Sequence, residues 1–200
     1  MSSSFREYAI PVQSFGRELT RKTIHITIAF VPVMANWNFL VAVALLSAGI
    51  IYYVINENAR ISGRSFGMVS RLTEIASRPV ERGFVWGPVT LGLGAMSALI
   101  FYPNPAATVA IYALAFGDGI ASLAGKFLGR RSTVRIGEKT LEGSVSCFVA
   151  VFFSTILYLD DYLLALAAAV TATILEMIPL QDADNLIIPL GTGFVMTLLT

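Results

Sequence analysis

The chain has 200 residues, of which 56% are hydrophobic and only 14% are charged, and its formal net charge is +1. This composition excludes an ordinary soluble domain, and the near-neutral charge argues against a simple polybasic lipid anchor. We expect no nucleic-acid partner. The single cysteine, Cys147, excludes an intramolecular disulfide framework, and we interpret it as a small packing residue.

Two long stretches, 23–56 and 83–117, contain no Asp, Glu, Lys or Arg. Each is long enough for two membrane-spanning helices of about 20 residues, and the strings "ANWNF" and "YPNP" interrupt them with turn residues and interfacial aromatics. Helices satisfy the backbone in lipid, and these segments are too long for barrel strands, so the fold class is predicted to be an all-α, polytopic membrane protein. The predicted spans are seven: 18–35, 38–55, 84–101, 106–125, 143–159, 162–179 and 186–200.

The distribution of basic residues predicts the orientation of these spans. Seven spans leave 1–17, 56–83, 126–142 and the short segment 180–185 on one side, and all 14 Lys and Arg residues lie there or at the span ends that face it. The positive-inside rule makes this side cytoplasmic, with the N-terminus inside and the C-terminus outside. We expect one membrane-embedded catalytic domain, 1–200. The first 19 residues lack a secretory signal, which favours a prokaryotic inner membrane.

Two of the cytoplasmic segments have a readable pattern. In "RSFGMVSRLTEIASRPVERGF", apolar residues recur at helical spacing, which predicts an amphipathic helix at the membrane interface; a solvated linker helix is the alternative. The basic, glycine-punctuated segment 126–142 suits binding of a polyanion, although positive loops also serve only to set topology.

The stretch "AFGDGIASLAGKFLGR" does not match the known phosphate loops. Gly119 and Gly125 are separated by five residues rather than four, and Lys126 is followed by Phe127, so it is not a Walker A loop. The dinucleotide-binding fingerprint fails as well, because its third glycine is missing. Neither soluble nucleotide-binding fold is supported.

Asp118 lies inside the fourth predicted span and shares a helix face with Ser122, Gly125 and Gly129. Small residues on one face favour close helix packing in membranes. An unpaired carboxylate in a span costs about 2.5–3.5 kcal/mol, however, so Asp118 must be paired, bind a metal or face a wet cavity. The glycines would then allow a polar ligand to approach the backbone.

Further polar residues occur at the same predicted membrane level, in the strings "ELTRKTIH", "NENAR", "GEKTLEGS" and "EMIPLQDADN". At least five carboxylates and several cations are thereby brought to one depth. Carboxylates suit Mg²⁺ shared with phosphate oxygens, and Lys and Arg neutralise phosphate charge. The pattern predicts a metal–nucleotide site at the cytoplasmic boundary, whereas a single histidine argues against zinc.

The strings "ELTRKTIH", "GDGIASLAGKFLGR" with "GEKTLEGS", and "EMIPLQDADN" closely resemble the CTP-dependent lipid-alcohol kinases, which include dolichol kinase, phytol kinase and the CTP-type diacylglycerol kinase. The resemblance covers nearly the whole chain in order. The middle block also resembles CDP-diacylglycerol synthase (phosphatidate cytidylyltransferase). The synthases carry a longer C-terminal element rich in Lys, Asp, Gly and Arg where this chain has only "PLQDADNLIIP", which favours the kinase.

The resemblance implies phosphoryl transfer from CTP, with Mg²⁺, to the hydroxyl of diacylglycerol, phytol, dolichol or another polyprenol. The alternatives are a cytidylyltransferase and a non-enzymatic transporter or scaffold. The expected metal ligands are Asp118, Glu142, Glu176, Asp182 and Asp184. The expected nucleotide contacts are Lys22, Gly125, Lys126, Gly129, Lys139, Thr140 and Asn185. The expected catalytic residues are Asp118, Lys139 and His25, with His25 or a spare carboxylate as the base.

Overall fold

A computed structural model describes residues 12–64, 67–76, 83–128, 135–136 and 139–200 of the chain. The described part is almost entirely helical, as predicted. Its first half contains α1 (Val12–Thr27), a 3₁₀ turn (Ile28–Phe30), α2 (Val31–Trp37), α3 (Phe39–Ile61), α4 (Met68–Ala76) and α5 (Gly87–Phe101).

The second half begins with a helix that changes from α-helical to π-helical hydrogen bonding and back again. It contains α6 (Ala106–Tyr112), a π-helical segment (Ala113–Asp118), α7 (Gly119–Phe127), β1 (Arg135–Ile136), β2 (Lys139–Thr140), α8 (Leu141–Leu159), α9 (Tyr162–Met177), a 3₁₀ turn (Gln181–Ala183) and α10 (Asp184–Leu199). The two short strands pair antiparallel and are a small departure from the predicted all-α class.

Three helices in the described part are long and apolar enough to cross a membrane: Phe39–Ile61, Ala106–Phe127 and Leu141–Leu159. They coincide with three of the predicted spans. Gly87–Phe101 and Tyr162–Met177 are apolar but shorter. The helical, membrane-type character of the chain is thus supported, while the number of seven spans is not confirmed and stays a prediction.

The first predicted span, 18–35, is not one continuous α-helix. The chain changes to a 3₁₀ turn at Ile28–Phe30 and starts a new helix, α2, at Val31. Pro32 explains the break, because it has no backbone N–H for the carbonyl of Ile28 and is tolerated in the first turn of a helix.

The helix Ala106–Phe127 lies at the centre of the fold. The most apolar 18-residue stretch of this helix is 72% buried inside the protein. The corresponding stretches of Phe39–Ile61 and Leu141–Leu159 are only 11% and 28% buried. The outer helices present large apolar side chains, such as Trp37 (80% exposed) and Leu157 (85% exposed). Cys147 is fully buried in the core between α6, α8, α9 and α10, which confirms its predicted packing role.

Pro189 and Gly94 determine how α10 packs on α5. Pro189 lacks an N–H, so the carbonyl of Asn185 loses the donor that an α-helix normally supplies four residues further on. A Cβ atom on Gly94 would lie only 1.9 Å from that carbonyl oxygen. The Asn185 side chain donates to the carbonyl of Gly87 at 3.2 Å and to the hydroxyl of Thr90 at 2.9 Å. Asn185 therefore fastens α10 to α5.

We expect Gly94→Ala to destabilise the protein, because backbone must move to admit the new methyl group. Overpacking of this kind costs about 1–3 kcal/mol. The measurement is thermal unfolding in detergent. Gly49→Ala in α3 is the matched control, since a Cβ there meets nothing within 4 Å and alanine favours a helix by about 0.5–1 kcal/mol. Equal melting temperatures for the two variants would contradict the close approach.

Candidate active site

Polar side chains from α1, α7, α8, α9 and α10 meet at one end of the helices. At the centre of this charged cluster, the Lys22 ammonium donates to Asp118 Oδ2 at 2.6 Å, and both side chains are only 6% exposed. His25, one turn after Lys22, places Nδ1 3.3 Å from the same oxygen. A buried ion pair needs both partners, because either charge alone is strongly unfavourable in apolar surroundings.

The π-helical segment positions Asp118 for these contacts. Asp118 is its last residue, and α7 continues directly from Gly119. A π-helical turn bonds residues five apart, so it rotates the following side chains relative to a regular α-helix. The His25 ring also makes a hydrogen bond with the backbone of Leu114 in this segment. Such turns occur frequently at functional sites.

Lys139 lies between two carboxylates, with Nζ 3.0 Å from Glu176 Oε1 and 2.8 Å from Asp184 Oδ2. The Ser144 hydroxyl donates to the other oxygen of Glu176 at 3.2 Å. Burial lowers the pKa of Lys139, but the hydrogen bond to Asp184 and the charges of Glu176, Asp184 and Asp118 outweigh it and raise that pKa above its ordinary value. The charge of Asp118 contributes to this shift, so the two groups of ion pairs lie close enough to interact, and we treat them together as the charged cluster.

Two further ion pairs flank this cluster. Arg21 Nη2 lies 3.4 Å from Asp182 Oδ1, which links α1 to the turn before α10. Lys126 pairs with Glu18, and the Lys126 side chain is 51% exposed. Lys126 was predicted to contact the nucleotide, and that role stays a prediction; the ammonium that pairs with Asp118 is that of Lys22.

Several residues predicted to contact the nucleotide have structural contacts. Thr140 begins α8, and its hydroxyl accepts the Gly143 N–H at 3.2 Å. A Cβ on Gly125 would lie 2.9 Å from that hydroxyl oxygen, so the absence of a side chain at Gly125 allows α7 to pack closely on the start of α8. Asn185 is bound to α5. Gly129 lies outside the described residues. The nucleotide contacts of all four stay predictions.

The described carboxylates suit a metal shared with a ligand better than one held by protein alone. Among these residues, no three His, Cys, Asp or Glu side chains are grouped to hold a metal ion. Two predicted ligands nevertheless have a buried oxygen without a hydrogen-bond partner, Asp184 Oδ1 and Glu142 Oε2. Mg²⁺ binds through one or two carboxylates, completed by phosphate oxygens and water, so this donor set fits it.

At least two cavities in the described part of the chain adjoin the charged cluster. The α8–α9 cavity, of about 290 Å³, is lined by Lys139, Thr140, Leu141, Ser144, Val145, Phe148, Thr173 and Met177. The α4 cavity, of about 220 Å³, is lined by Arg21, Ile24, His25, Tyr53, Val69, Leu72, Thr73, Val85, Gly87, Pro88 and Leu91. Both combine a few polar groups with an otherwise apolar wall, as ligand sites do.

Known proteins resemble this chain along most of its length. It is 28% identical over 192 residues to a phytol kinase of Synechocystis sp., covering 89% of this chain and 78% of that protein. It is 26% identical over 206 residues to the probable phytol kinase 2, chloroplastic, of Oryza sativa subsp. japonica, covering 92% of this chain and 67% of that protein. The chain is similar to these two phytol kinases. The predicted resemblance to the lipid-alcohol kinases is thereby confirmed.

Neither a protein-family model nor a solved structure matches the chain.

The cluster contains two contacts that were not predicted from the sequence. Ser144 bonds to Glu176, and Arg21 bonds to Asp182. The sequence could have indicated Arg21, because it lies four residues before His25 and therefore on the same helix face. No sequence pattern indicates Ser144, since its partner Glu176 is 32 residues away on another helix.

We expect Lys139→Met to lower the free energy of unfolding by about 3 kcal/mol, at the low end for a broken buried pair because Lys139 keeps 18% exposure. The substitution leaves Glu176 and Asp184 facing each other without a cation. Thermal unfolding in detergent measures the loss. Lys126→Met is the comparison variant and should cost less, because that ammonium is 51% exposed and the buried Glu18 keeps the charges of Lys22 and Arg21 beside it. A similar loss in both variants would refute the central position of Lys139.

Proposed function

We propose that this protein is a membrane kinase that transfers the terminal phosphoryl group of CTP, with Mg²⁺, to the hydroxyl of a lipid alcohol. The observation that carries the proposal is the buried cluster in which Lys139 lies between Glu176 and Asp184, beside the Lys22–Asp118 pair. The relatives named as phytol kinases support the same reaction class. The choice of CTP as the nucleotide follows from the resemblance of the sequence motifs to the CTP-dependent lipid-alcohol kinases.

Phosphoryl transfer requires mainly positioning and electrostatic stabilisation, which this cluster is equipped to supply. Lys22 and Lys139 are held in place by carboxylates and would bind phosphate oxygens, with the more exposed Lys126 at the periphery. Asp184 and Glu142 each have a buried oxygen without a hydrogen-bond partner, and one or both would share the metal with phosphate oxygens. When bound, Mg²⁺ neutralises charge on the phosphates.

The reaction needs a base for the lipid hydroxyl. In the proposed step, the hydroxyl oxygen bonds to the γ-phosphorus, the bond from that phosphorus to the β–γ bridging oxygen breaks, and CDP leaves. The hydroxyl proton passes to His25, whose Nδ1 is buried and has no hydrogen-bond partner. Asp118, 3.3 Å away, would stabilise the resulting imidazolium.

We place the site at the cytoplasmic face of a seven-span protein, with the N-terminus inside and the C-terminus outside. Two observations support this topology. The polar ends of α1, α7, α9 and α10 meet, as alternating spans require, and Asn104 bonds to Asn36 at 3.0 Å between two of the predicted outer turns. In the predicted topology all 14 basic residues lie on the side of the cluster or at the span ends that face it. A prokaryotic inner membrane is the proposed location.

The deciding experiment supplies the purified protein, in lipid nanodiscs, with phytol, Mg²⁺ and CTP labelled at either the α- or the γ-phosphate. A kinase places only the γ-label on the lipid. A cytidylyltransferase, given phosphatidate, places only the α-label there. Absence of both labels, with no CTP binding in calorimetry, would leave the transporter or scaffold alternative. Parallel reactions with ATP test the choice of nucleotide.

We expect Asp118→Asn to lower kcat by at least about 10³-fold, because the substitution removes the central negative charge of the cluster. The measurement is the rate of lipid phosphorylation, with thermal unfolding as a check on folding. Asp160→Asn is the matched control. Asp160 ends α8 away from the cluster with φ of 53°, a conformation that asparagine tolerates. Full activity of a folded Asp118→Asn protein would exclude the proposed role.

A further inference from the structure

Lys139 differs from the other cations of the charged cluster because it faces two carboxylates at once. Its Nζ lies 3.0 Å from Glu176 Oε1 and 2.8 Å from Asp184 Oδ2, and these two carboxylate side chains are only 3% and 7% exposed. Three other cations of the cluster pair with one carboxylate each: Arg21 with Asp182, Lys22 with Asp118 and Lys126 with Glu18. Glu176 and Asp184 therefore share one positive charge between two buried negative charges.

A carboxylate with a purely structural role has different surroundings in this protein. Glu57 is 1% exposed, and both of its oxygens are bonded. Oε1 accepts from Arg60 at 2.6 Å and from the Val85 N–H at 2.9 Å, and Oε2 accepts from Arg60 at 2.8 Å. Asp184, in contrast, has one buried oxygen, Oδ1, without a hydrogen-bond partner. Buried polar groups are normally hydrogen-bonded, so Asp184 is suited to a change of partner and Glu57 is not.

A divalent cation is a partner that Glu176 and Asp184 are able to accept in place of the ammonium. Mg²⁺ prefers oxygen ligands and binds through one or two carboxylates together with phosphate oxygens. It carries two positive charges where Lys139 carries one, so it balances both carboxylates. A charged ammonium has no lone pair to donate to a metal, and like charges repel each other. Lys139 and a divalent cation therefore exclude each other from the place between the two carboxylates.

Lys139 is the member of this group that has room to move. Its side chain is 18% exposed, more than either carboxylate. It belongs to β2, whereas Glu176 lies on α9 and Asp184 begins α10. Lys139 also lines the α8–α9 cavity of about 290 Å³. Its flexible four-carbon side chain is therefore able to rotate away from the carboxylates while the helices stay in place.

The α4 cavity offers no comparable place for a cation. None of its described lining residues is a carboxylate. Helix α4, which forms one wall, buries Ser70 and Thr73 and exposes Leu72 and Ile75. It is amphipathic, as predicted, and its exposed apolar side chains suit an interfacial helix. An exchange of cations therefore belongs beside the α8–α9 cavity, where Lys139 lies.

We propose that Lys139 occupies the place of a divalent cation until a nucleotide binds, and that the nucleotide phosphates open this place by drawing the Lys139 ammonium away from Glu176 and Asp184. The inference rests on the proposed function, in which Lys139 binds phosphate oxygens. A cation alone has to compete with a tethered ammonium, whereas a cation that arrives with a nucleotide does not. Nucleotide and cation therefore strengthen each other's binding, and couplings of this kind are usually about 5–150-fold.

Metal binding in the absence of nucleotide tests whether Lys139 blocks the place. The full chain, in nanodiscs of neutral phosphatidylcholine, is titrated with Mn²⁺, and the free Mn²⁺ is measured by electron paramagnetic resonance. We expect Lys139→Met to bind Mn²⁺ at least about tenfold more tightly than the unaltered protein. The double variant Lys139→Met/Asp184→Asn should lose this gain. Equal affinities of Lys139→Met and the unaltered protein would overturn the proposal.

Lys126→Met is the matched control, because Lys126 faces the single carboxylate of Glu18. It should gain no affinity for Mn²⁺, and an equal gain in both variants would contradict a special place at Lys139. Thermal unfolding gives a second measurement on the same proteins. Mn²⁺ should raise the melting temperature of Lys139→Met, since a ligand stabilises the folded state to which it binds, and should leave that of Lys126→Met unchanged.

Iron-directed cleavage tests the unaltered chain and does not depend on the folding of a variant. Fe²⁺ replaces Mg²⁺, ascorbate and hydrogen peroxide then cut the backbone close to the bound iron, and the fragments are mapped by mass spectrometry. We expect cuts near Glu176 and Asp184 only when the non-hydrolysable β,γ-imido analogue of CTP is present. Cuts there without the nucleotide, or nucleotide-dependent cuts confined to the surroundings of Asp118 and Glu142, would overturn the proposal.

The two proposals fail in different ways. If Lys139→Met gains Mn²⁺ binding and the iron cuts depend on the nucleotide, but no lipid receives the γ-label, the kinase function is refuted while the exchange of cations stands. If a lipid receives the γ-label and Lys139→Met gains no Mn²⁺ binding, the kinase function stands and the exchange at Lys139 is refuted.

Discussion

The compensation of buried charge is the constraint on which the rest of the structure depends. Lys22 and Asp118 are separated by 96 positions in the chain, and Lys139 and Asp184 by 45, yet each pair is buried at hydrogen-bond distance. None of these charges is tolerated alone in an apolar bundle. Bringing α1 against the π-helical segment, and β2 close to α9 and α10, is therefore required to neutralise them. The residues that form the site are also the residues that select this arrangement of helices.

Hydropathy and charge predict a large part of this architecture from the sequence. The charge-free stretches locate α3, α5 and the central helix, and their alternation correctly groups the polar ends that meet in the cluster. The choice of partners is not predictable in the same way, because a long lysine side chain reaches several carboxylates at one depth. The sequence places Lys22, Lys126 and several carboxylates at one predicted depth without assigning partners, and only the fold pairs Lys22 with Asp118 and Lys126 with Glu18.

The features that the sequence does not predict depend on contacts between helices. Gly125 suggests room for a ligand, but Thr140 and the start of α8 occupy the space beside it. Gly94 carries no signal of its own; its importance arises from the carbonyl of Asn185, which loses its usual helical donor because of Pro189. The π-helical segment ending at Asp118 has no sequence signature either. Only the assembled fold shows that its rotation directs Asp118 towards Lys22 and His25.

The composition of the cluster favours a charged ligand that arrives together with a cation. Without ligand, the carboxylates and ammonium groups neutralise one another. A polyanion that engages Lys22 and Lys139 removes the partners of Asp118, Glu176 and Asp184, and uncompensated carboxylates are costly where the dielectric constant is low. A divalent cation entering with the polyanion restores the balance. The metal-bound nucleotide that we propose would meet this requirement, because its phosphates and its cation together keep the charges balanced.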